Sequence, residues 1–278
     1  GGLTSNAAAH LDLPEGVPVL QGGADAFIGM IGLGVVNPGS LAFITGSSHL
    51  HLGLSPQAFH GQGIWGTYAD AVIPGLHVVE GGQTSTGSVV SWIRRTLGSP
   101  SYEELNHEAA ELEPGSEGVV IQEHFQGNRT PHTDPLSRGV ISGLTLKHGR
   151  GHLFRAALEG IAFGTELILE TMRNNGFAAE TVVLAGGATR SDLWLQIHAD
   201  VSNLPLTLTK VPDAPALGSA ILAAVGSGAF SDIGTATQKM VQVDRVIEPN
   251  QETHARYQPF YQSYQNHYLA MKNARSIF

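Results

Sequence analysis

The sequence predicts an α/β fold: a mixed sheet with helices on both faces. Three observations carry this. A period-two stretch, Leu41-Ala42-Phe43-Ile44-Thr45 and His49-Leu50-His51-Leu52-Gly53-Leu54, flanks Gly46-Ser47-Ser48 and reads as a β-hairpin with a small-residue tip. Phe154, Leu158, Ile161, Thr165, Ile168 and Met172 step by four and three, keeping one apolar stripe along a helix. From Thr181 onward strands and helices alternate, as they do in sheets covered on both sides.

The elements follow in order. Thr4 to His10 reads as a short helix, Pro14-Glu15-Gly16 as a turn and Val17 to Leu20 as a strand, with a helix after Asp25. Asn37-Pro38-Gly39 is a turn into the hairpin. A third strand, Leu76 to Val79, runs into Glu80-Gly81-Gly82-Gln83-Thr84-Ser85-Thr86-Gly87. A helix from Ser88 to Leu97 follows, with Trp92 and Ile93 on its buried face. Residues 98–152 read as loop-rich, with a buried strand at Gly118 to Ile121. The striped helix spans about 33 Å and stops at Asn174-Asn175-Gly176. Strand Thr181 to Leu184, a Gly186-Gly187-Ala188 turn and a helix from Ser191 to Val201 come next, capped by Ser191 or Asp192. Strand Pro205 to Thr209, a helix opened by Pro215 and reaching about Val225, and a last helix within His254 to Ala274 complete the chain.

Composition bounds the function. The chain has 278 residues, 42% hydrophobic and 14% charged, enough for a substantial core. A net charge of -9 without a basic run argues against a nucleic-acid partner. Cys is absent, which removes disulfides and thiolate metal sites and fits a reducing cytoplasm. No apolar run approaches a membrane span, and no signal peptide is visible. The chain opens on Gly1-Gly2-Leu3 without Met, as though it began inside a longer sequence.

Two features carry chemistry. Asp25 stands in Gly22-Gly23-Ala24-Asp25-Ala26 ahead of the small-residue run Gly29-Met30-Ile31-Gly32-Leu33-Gly34, which suggests close backbone approach around one acid. About 160 residues later the strand-to-Gly186-Gly187-Ala188 turn offers a seat for a nucleotide. Backbone N–H groups and hydroxyls at Thr45-Gly46-Ser47-Ser48 suit phosphate oxygens, though a tight hairpin uses the same residues. An isolated acid and a nucleotide seat are the parts needed to move a phosphoryl group onto a hydroxyl. G-x-x-x-x-G-K-[ST] does not occur, so the common P-loop version falls away. His49 and His51 share a strand face but lack a third ligand at helical spacing, so no metal site is assigned. Ser47, Ser48 and Ser85 lack a G-x-S-x-G elbow, which removes the serine-hydrolase alternative. Asp232-Ile233-Gly234-Thr235 imitates the phosphate loop of actin-like ATPases, but no strand precedes it, and it reads as a surface connection.

Gly139-Val140-Ile141-Ser142-Gly143-Leu144, seven residues, then His152-Leu153-Phe154-Arg155-Ala156-Ala157-Leu158-Glu159 closely resemble the second signature of the FGGY family of carbohydrate kinases. Gly127-Asn128-Arg129-Thr130-Pro131, Asp134-Pro135, Arg138-Gly139, the run Gly186 to Trp194 and Ala216-Leu217-Gly218-Ser219-Ala220 resemble the family's pentulose kinases. The resemblance implies an actin-like ATPase (ribonuclease H-like) domain. It implies that residues 1–38 are the tail of a first, sugar-binding domain and 39–278 the second, nucleotide-binding one. It implies ATP and Mg²⁺ as cofactors and a sugar substrate, most closely a ketopentose such as ribulose or xylulose. Asp25 then matches the general base on the sugar side, and Thr45 and Gly46 the turn near the γ-phosphate. Gly87 and Ser91 match positions beside the phosphates and ribose, and Gly186, Gly187, Ala188 and Asp192 the adenine and ribose wall. The family's first domain is the expected partner, and without it the chain is expected to have little kinase activity. A homodimer stays open. The alternative is an actin-like nucleotide-binding module without sugar kinase activity.

Overall fold

The computed structural model describes residues 1–275. Ser5–Leu11 (α1) and Asp25–Gly32 (α2) precede strands Ser40–Thr45 (β1), His49–Ser55 (β2), Gly66–Ala69 (β3) and His77–Gln83 (β4). Helices Gly87–Thr96 (α3) and Tyr102–Ala110 (α4) lead to a two-stranded sheet of Val120–Gln122 (β5) and Val140–Ser142 (β6). The long helix Arg150–Asn174 (α5) is followed by Thr181–Gly186 (β7), Asp192–Ser202 (α6), Leu206–Thr209 (β8) and Ala214–Gly226 (α7). Ile233–Met240 (α8), Val243–Ile247 (β9) and Gln251–Arg275 (α9) complete the described chain.

The main sheet has seven strands in the order β3-β4-β2-β1-β7-β8-β9. β1 pairs antiparallel with β2 and parallel with β7, so the sheet is mixed. Side chains alternate across each strand and feed two separate cores. Leu41, Phe43, Val182 and Leu184 pack under α5 and α6. Ala42, Ile44, Leu52 and Val183 pack under α2, α7 and α8. A third apolar cluster joins α3, α4, α5, α6 and α9. Helices therefore cover both faces, as the pattern of apolar residues requires.

Every residue of the apolar stripe from Phe154 to Met172 is buried. α5 also carries charge into the interior. Arg155 donates through Nε to Glu159 Oε1 at 2.7 Å, with the side chains 6% and 2% exposed. Glu159 also accepts from Gly115 N (3.0 Å), Ser116 Oγ (2.8 Å) and Tyr257 OH (3.1 Å), while Arg155 reaches Ala109 O and Tyr257 OH. The pair thereby ties α5 to the end of α4, the following turn and α9. Glu123 is a second buried acid. It accepts from Gln83 Nε2 (2.9 Å) and Tyr264 OH (2.7 Å), and Gln83 in turn accepts from Thr165 Oγ1 (2.9 Å). Burial without a cation raises its carboxyl to about 7, against the opposing effect of those hydrogen bonds.

Some sequence expectations change. Val17 to Leu20 is no strand: it makes a single bridge, Gly2 with Pro18, because Pro18 has no N–H to continue a ladder and the segment is exposed. Trp92 is 38% exposed and lies on Phe125 at 4.9 Å, whereas Ile93 is buried as expected. The buried strand after Gly118 is β5, which begins at Val120. α4 forms where a loop-rich stretch was read, started by a capping box in which Ser101 Oγ accepts from Glu104 N and Glu104 reaches back to Ser101 N. β3 and β9 are edge strands that sequence reading passed over. Asp232 caps α8, accepting from Thr235 N at 2.7 Å, so the Asp232-Ile233-Gly234-Thr235 imitation opens an exposed helix rather than a phosphate loop. No helix of the described residues is long and apolar enough to cross a membrane.

Arg155→Met removes the cation and leaves Glu159 buried among neutral donors. It should cost about 3–5 kcal/mol of unfolding free energy, read from urea denaturation at pH 7. A loss below about 1 kcal/mol would mean that the neutral donors alone satisfy the carboxylate.

Candidate nucleotide site

Register sets the site. Thr45 of β1 pairs with His49 of β2 and with Gly186 of β7, and His49 pairs with Gln83 of β4. One row, Gln83-His49-Thr45-Gly186, therefore crosses four adjacent strands. Just beyond that row lie three turns: Gly46-Ser47-Ser48, Thr84 to Gly87, and Gly186-Gly187-Ala188. This is the carboxyl edge of β1, β4 and β7, where open α/β sheets place ligands.

The turns touch through backbone. Gly87 N donates to Gly46 O at 3.1 Å, and a Cβ on Gly87 would lie 2.4 Å from that oxygen. Gly186 has φ +100°, and a Cβ there would lie 1.8 Å from Thr45 O. Thr45 joins the first and third turns: its hydroxyl donates to Ala185 O (2.8 Å) and accepts from Ala188 N (3.1 Å). The hydroxyl that sequence reading offered to a phosphate is committed to the scaffold.

Against these turns opens a cavity of about 370 Å³, within the usual size of small-molecule sites. Gly46, Gly87, Gly187 and Ala188 line it. Its other walls come from Val90, Tyr102, Asn106, Phe154, Leu158, Arg190, Ser191 and Trp194. Sequence reading did not nominate Tyr102 and Asn106, because α4 was not seen. The Ser101-x-x-Glu104 spacing was the available signal. Ser191 is the cap of α6, accepting from Trp194 N at 3.2 Å.

Four nominated nucleotide-site residues, Thr45, Ser91, Gly186 and Asp192, stand outside the cavity walls. Ser91 Oγ accepts from Arg95 Nη1 (3.0 Å) along α3. The Asp192 carboxylate pairs with Arg245 of β9 at 2.6 Å. Arg245 belongs to a second hollow on the other side of the Gly186-Gly187 turn, shared with Thr209 and Asp244.

Asp25 opens α2 and is exposed. α2 is joined to the start of β1 through residues 33–39. Gly29 faces Ile44, the residue before Thr45. Asp25 lies one turn beyond, about 6 Å further along the helix axis. Its carboxylate accepts from its neighbour Ala26 N at 2.8 Å, and no ion pair holds it among the described residues. The glycine spacing after Asp25 has another purpose than approach to a ligand. A Cβ on Gly32 would lie 1.9 Å from Ala214 O, and one on Gly218 would lie 2.0 Å from Ile28 O, so these glycines let α2 and α7 touch backbone to backbone.

His49 and His51 face neither solvent nor a loop. Both are fully buried, on the side of the sheet under α6, with Phe43, Trp194 and His198. Their ring nitrogens and those of His198 make no hydrogen bond of normal geometry. The Gly81 backbone acts on His51 and the Gln83 side chain on His49, each opposing the effect of burial. Burial lowers His51 and His198 to about 3, and lowers His49 well below the usual imidazole range with help from its two neighbours.

Glu117, His148 and His152 bring ligand atoms within 4.8 Å of one another. Their hydrogen bonds argue against a metal. His148 Nδ1 accepts from Thr145 N (2.9 Å), and His152 Nδ1 accepts from Gly149 N (3.1 Å). In each neutral ring the proton then sits on Nε2, the atom a metal would need free. Glu117 is also paired with Lys147, and the group serves as a staple at the start of α5.

Comparison with known proteins bears on this geometry. The model of the FGGY family of carbohydrate kinases, C-terminal domain, matches residues 41–227. An FGGY carbohydrate kinase domain-containing protein of Xenopus laevis is 34% identical over 97% of this chain and 56% of its own length. The ribulokinase of Shouchella clausii (strain KSM-K16) is 32% identical over 95% of this chain and 50% of its own. The crystal structure of xylulose kinase from Rhodospirillum rubrum superposes with a TM-score of 0.88 at 30% identity, covering 98% of this chain and 55% of that one. The chain thus spans about half the length of the curated relatives it matches. The sheet and its covering helices are those of the actin-like ATPase fold.

Gly186 and Gly187 should respond differently to alanine. Gly186→Ala forces a Cβ into Thr45 O at a φ that L residues avoid, whereas a Cβ on Gly187 meets nothing within 4 Å. Gly186→Ala should lower stability by at least about 2 kcal/mol and Gly187→Ala by less than about 1 kcal/mol, measured by urea denaturation. Equal effects would contradict the packing of the turn on β1.

The histidine cluster fixes a pH dependence. A histidine whose folded-state pKa is depressed contributes stability that is present above its unfolded pKa near 6.5 and lost as pH falls toward the folded value. Between pH 7 and pH 5, His51 alone should cost about 2 kcal/mol. His51→Leu should therefore lose about 2 kcal/mol less than the parent over that interval in paired denaturation curves. Identical pH slopes would show that His51 does not stay neutral in the fold.

Proposed function

The chain belongs to the FGGY family of carbohydrate kinases, and on that premise we propose that it is the nucleotide-binding part of an ATP-dependent kinase that phosphorylates a sugar hydroxyl. The proposed substrate is a ketopentose, ribulose or xylulose; relatives named for both cover nearly the whole chain. In this reading residues 1–38 are the tail of a first, sugar-side domain and residues 39–278 form the second domain. The Cys-free composition suits work in a reducing cytoplasm.

One observation carries the proposal. An exposed carboxylate with no ion-pair partner among the described residues, Asp25, opens a helix whose Gly29, one turn on, faces Ile44, the neighbour of Thr45 at the edge where three glycine turns meet an apolar cavity. The residues fit a nucleotide. Gly87 and Gly186 are sites where a side chain would strike backbone, which keeps the edge open to close approach. Gly46, Gly87, Gly187 and Ala188 would hold ATP along the turns, with Thr45 fixing the turns themselves. Ser91 and Asp192 would serve at the margins, Asp192 after exchanging its Arg245 partner for a ribose hydroxyl. Bound ATP, its charge offset by Mg²⁺, supplies the phosphoryl group.

The remaining chemistry belongs to the protein. Asp25 would orient the sugar hydroxyl and accept its proton as the new O–P bond forms and the bond to the departing ADP breaks. An ordinary carboxylate is too weak a base to remove that proton in advance, so transfer accompanies bond formation. The turns contribute positioning and backbone N–H groups for developing charge.

In the kinase that carries this chain, Asp25→Ala should lower kcat for ribulose or xylulose by about 10²–10⁴-fold and leave the affinity for ATP within about twofold. The assay is ADP release with each sugar, alongside nucleotide titration. Turnover retained within about threefold of the parent would remove Asp25 from the base role.

A further inference from the structure

We infer that the cavity selects its nucleotide by shape and stacking rather than by reading the edge of the base, so that ITP and GTP are held nearly as well as ATP. The inference rests on the proposed donor site and specifies what that site recognises.

Asn106 and Ser191, the wall's amide and hydroxyl nearest the helix cap, are bonded to the scaffold. Asn106 is the residue type that pairs with adenine through its amide oxygen and nitrogen together. Here the two ends point to different partners. Nδ2 donates to Tyr102 O, one turn back on α4, at 2.7 Å. Oδ1 accepts from Ser191 Oγ at 2.7 Å, across the cavity wall. The amide is held between α4 and the cap of α6, so its two ends are oriented toward protein partners rather than together toward one base edge. Ser191 is committed as well, since the same oxygen that donates to Asn106 accepts from Trp194 N. Ala188 N is taken by Thr45 Oγ1.

The other walls do not discriminate among purines. Val90, Phe154 and Leu158 offer apolar surface. Trp194 presents part of its ring, but its indole N–H is buried on the inner side, where the ring lies 5.6 Å from that of His49. Arg190 carries donors only and cannot accept from the amino group that distinguishes adenine. If its guanidinium reaches the base edge, it favours a carbonyl at that position, as in hypoxanthine or guanine. Tyr102, with Arg94 over one side of its ring at 5.0 Å, adds a planar group. A π-face stacks on any base. An apolar pocket typically separates close analogues by only about 10–200-fold, whereas a site built on hydrogen bonds separates them by about 10⁴–10⁵.

The test is thermal unfolding of the 278-residue chain, titrated with ATP, ITP, GTP and UTP. ATP, ITP and GTP should give apparent Kd values within about fivefold of one another, with UTP weaker because its smaller ring covers less apolar wall. ITP and GTP both weaker than ATP by about 50-fold or more would overturn the inference and leave the donor site standing. No shift with any nucleotide at millimolar concentration would overturn the donor site and the inference together. A second variant tests the cause. Ser191→Ala frees Asn106 Oδ1 to accept from the adenine amino group, and the ratio of GTP to ATP Kd should rise about threefold or more. The ratio cancels the general loss of stability from removing the cap. An unchanged ratio would show that the Asn106–Ser191 bond is not what withholds base readout.

Discussion

The hydroxyl of Thr45 is the interaction on which the rest of the site depends. It sits at the last residue of β1, accepts from Ala188 N and donates to Ala185 O, and so bolts the hairpin tip to the turn after β7. The bolt works because Gly186 has no side chain, as a Cβ there would strike the Thr45 carbonyl oxygen. Gly87 meets Gly46 in the same way on the other flank. Three turns from three distant stretches of chain therefore share one edge as bare backbone. A buried hydrogen bond between neutral groups contributes only about 1 kcal/mol net. The larger effect is geometric, because it fixes where three sets of backbone N–H groups stand relative to each other.

That precision needs a rigid support, and the support is polar as well as apolar. The signature run on α5 carries a charged pair that is not part of the cavity walls. Arg155 and Glu159 gather the end of α4, the 3-10 turn at Ser116 and the Tyr257 hydroxyl of α9 around themselves. Phe154 and Leu158, on the neighbouring face of the same helix, form cavity wall. One helix thus couples the framework to the site, and the restrictive residue pattern reflects two sets of constraints on adjacent faces. Glu123 does a related job without a cation, joining Gln83 at the end of β4 to Tyr264 of α9.

What the sequence revealed and what it hid have physical reasons. The hairpin, the striped helix and the Gly-Gly turn were legible because period and turn chemistry are local properties. β9 escaped because an edge strand with four of its five residues exposed has no alternating apolar pattern to read. α4 escaped because only Leu105 and Ala109 of its nine residues are buried, leaving the capping box as its main signature. With α4 went Tyr102 and Asn106. The role of Thr45 could not be seen either, since its partners lie about 140 residues away. The burial of His49 and His51 could not be seen in the sequence either, because imidazole is usually solvated. Here Phe43, Trp194 and His198 enclose them, and only the packing of α6 on the sheet reveals that.

The two halves of the proposed chemistry approach the sheet edge from opposite faces. The cavity lies on the side of α3, α4, α5 and α6, and Asp25 arrives on α2 from the side of α7 and α8. Motion of Asp25 toward the cavity would require α2 to slide along β1. The contacts at Gly32 and Gly218 lock α2 to α7, because backbone already meets backbone where the two helices cross, and close-packed interfaces of that kind do not deform gradually. α2 in turn is joined to β1 by the short return through residues 33–39. In the proposed reading, Asp25 is therefore held by the α2–α7 crossing. In the proposed reaction, closure has to bring the acceptor hydroxyl to the carboxylate, and the carboxylate stays where the α2–α7 crossing puts it.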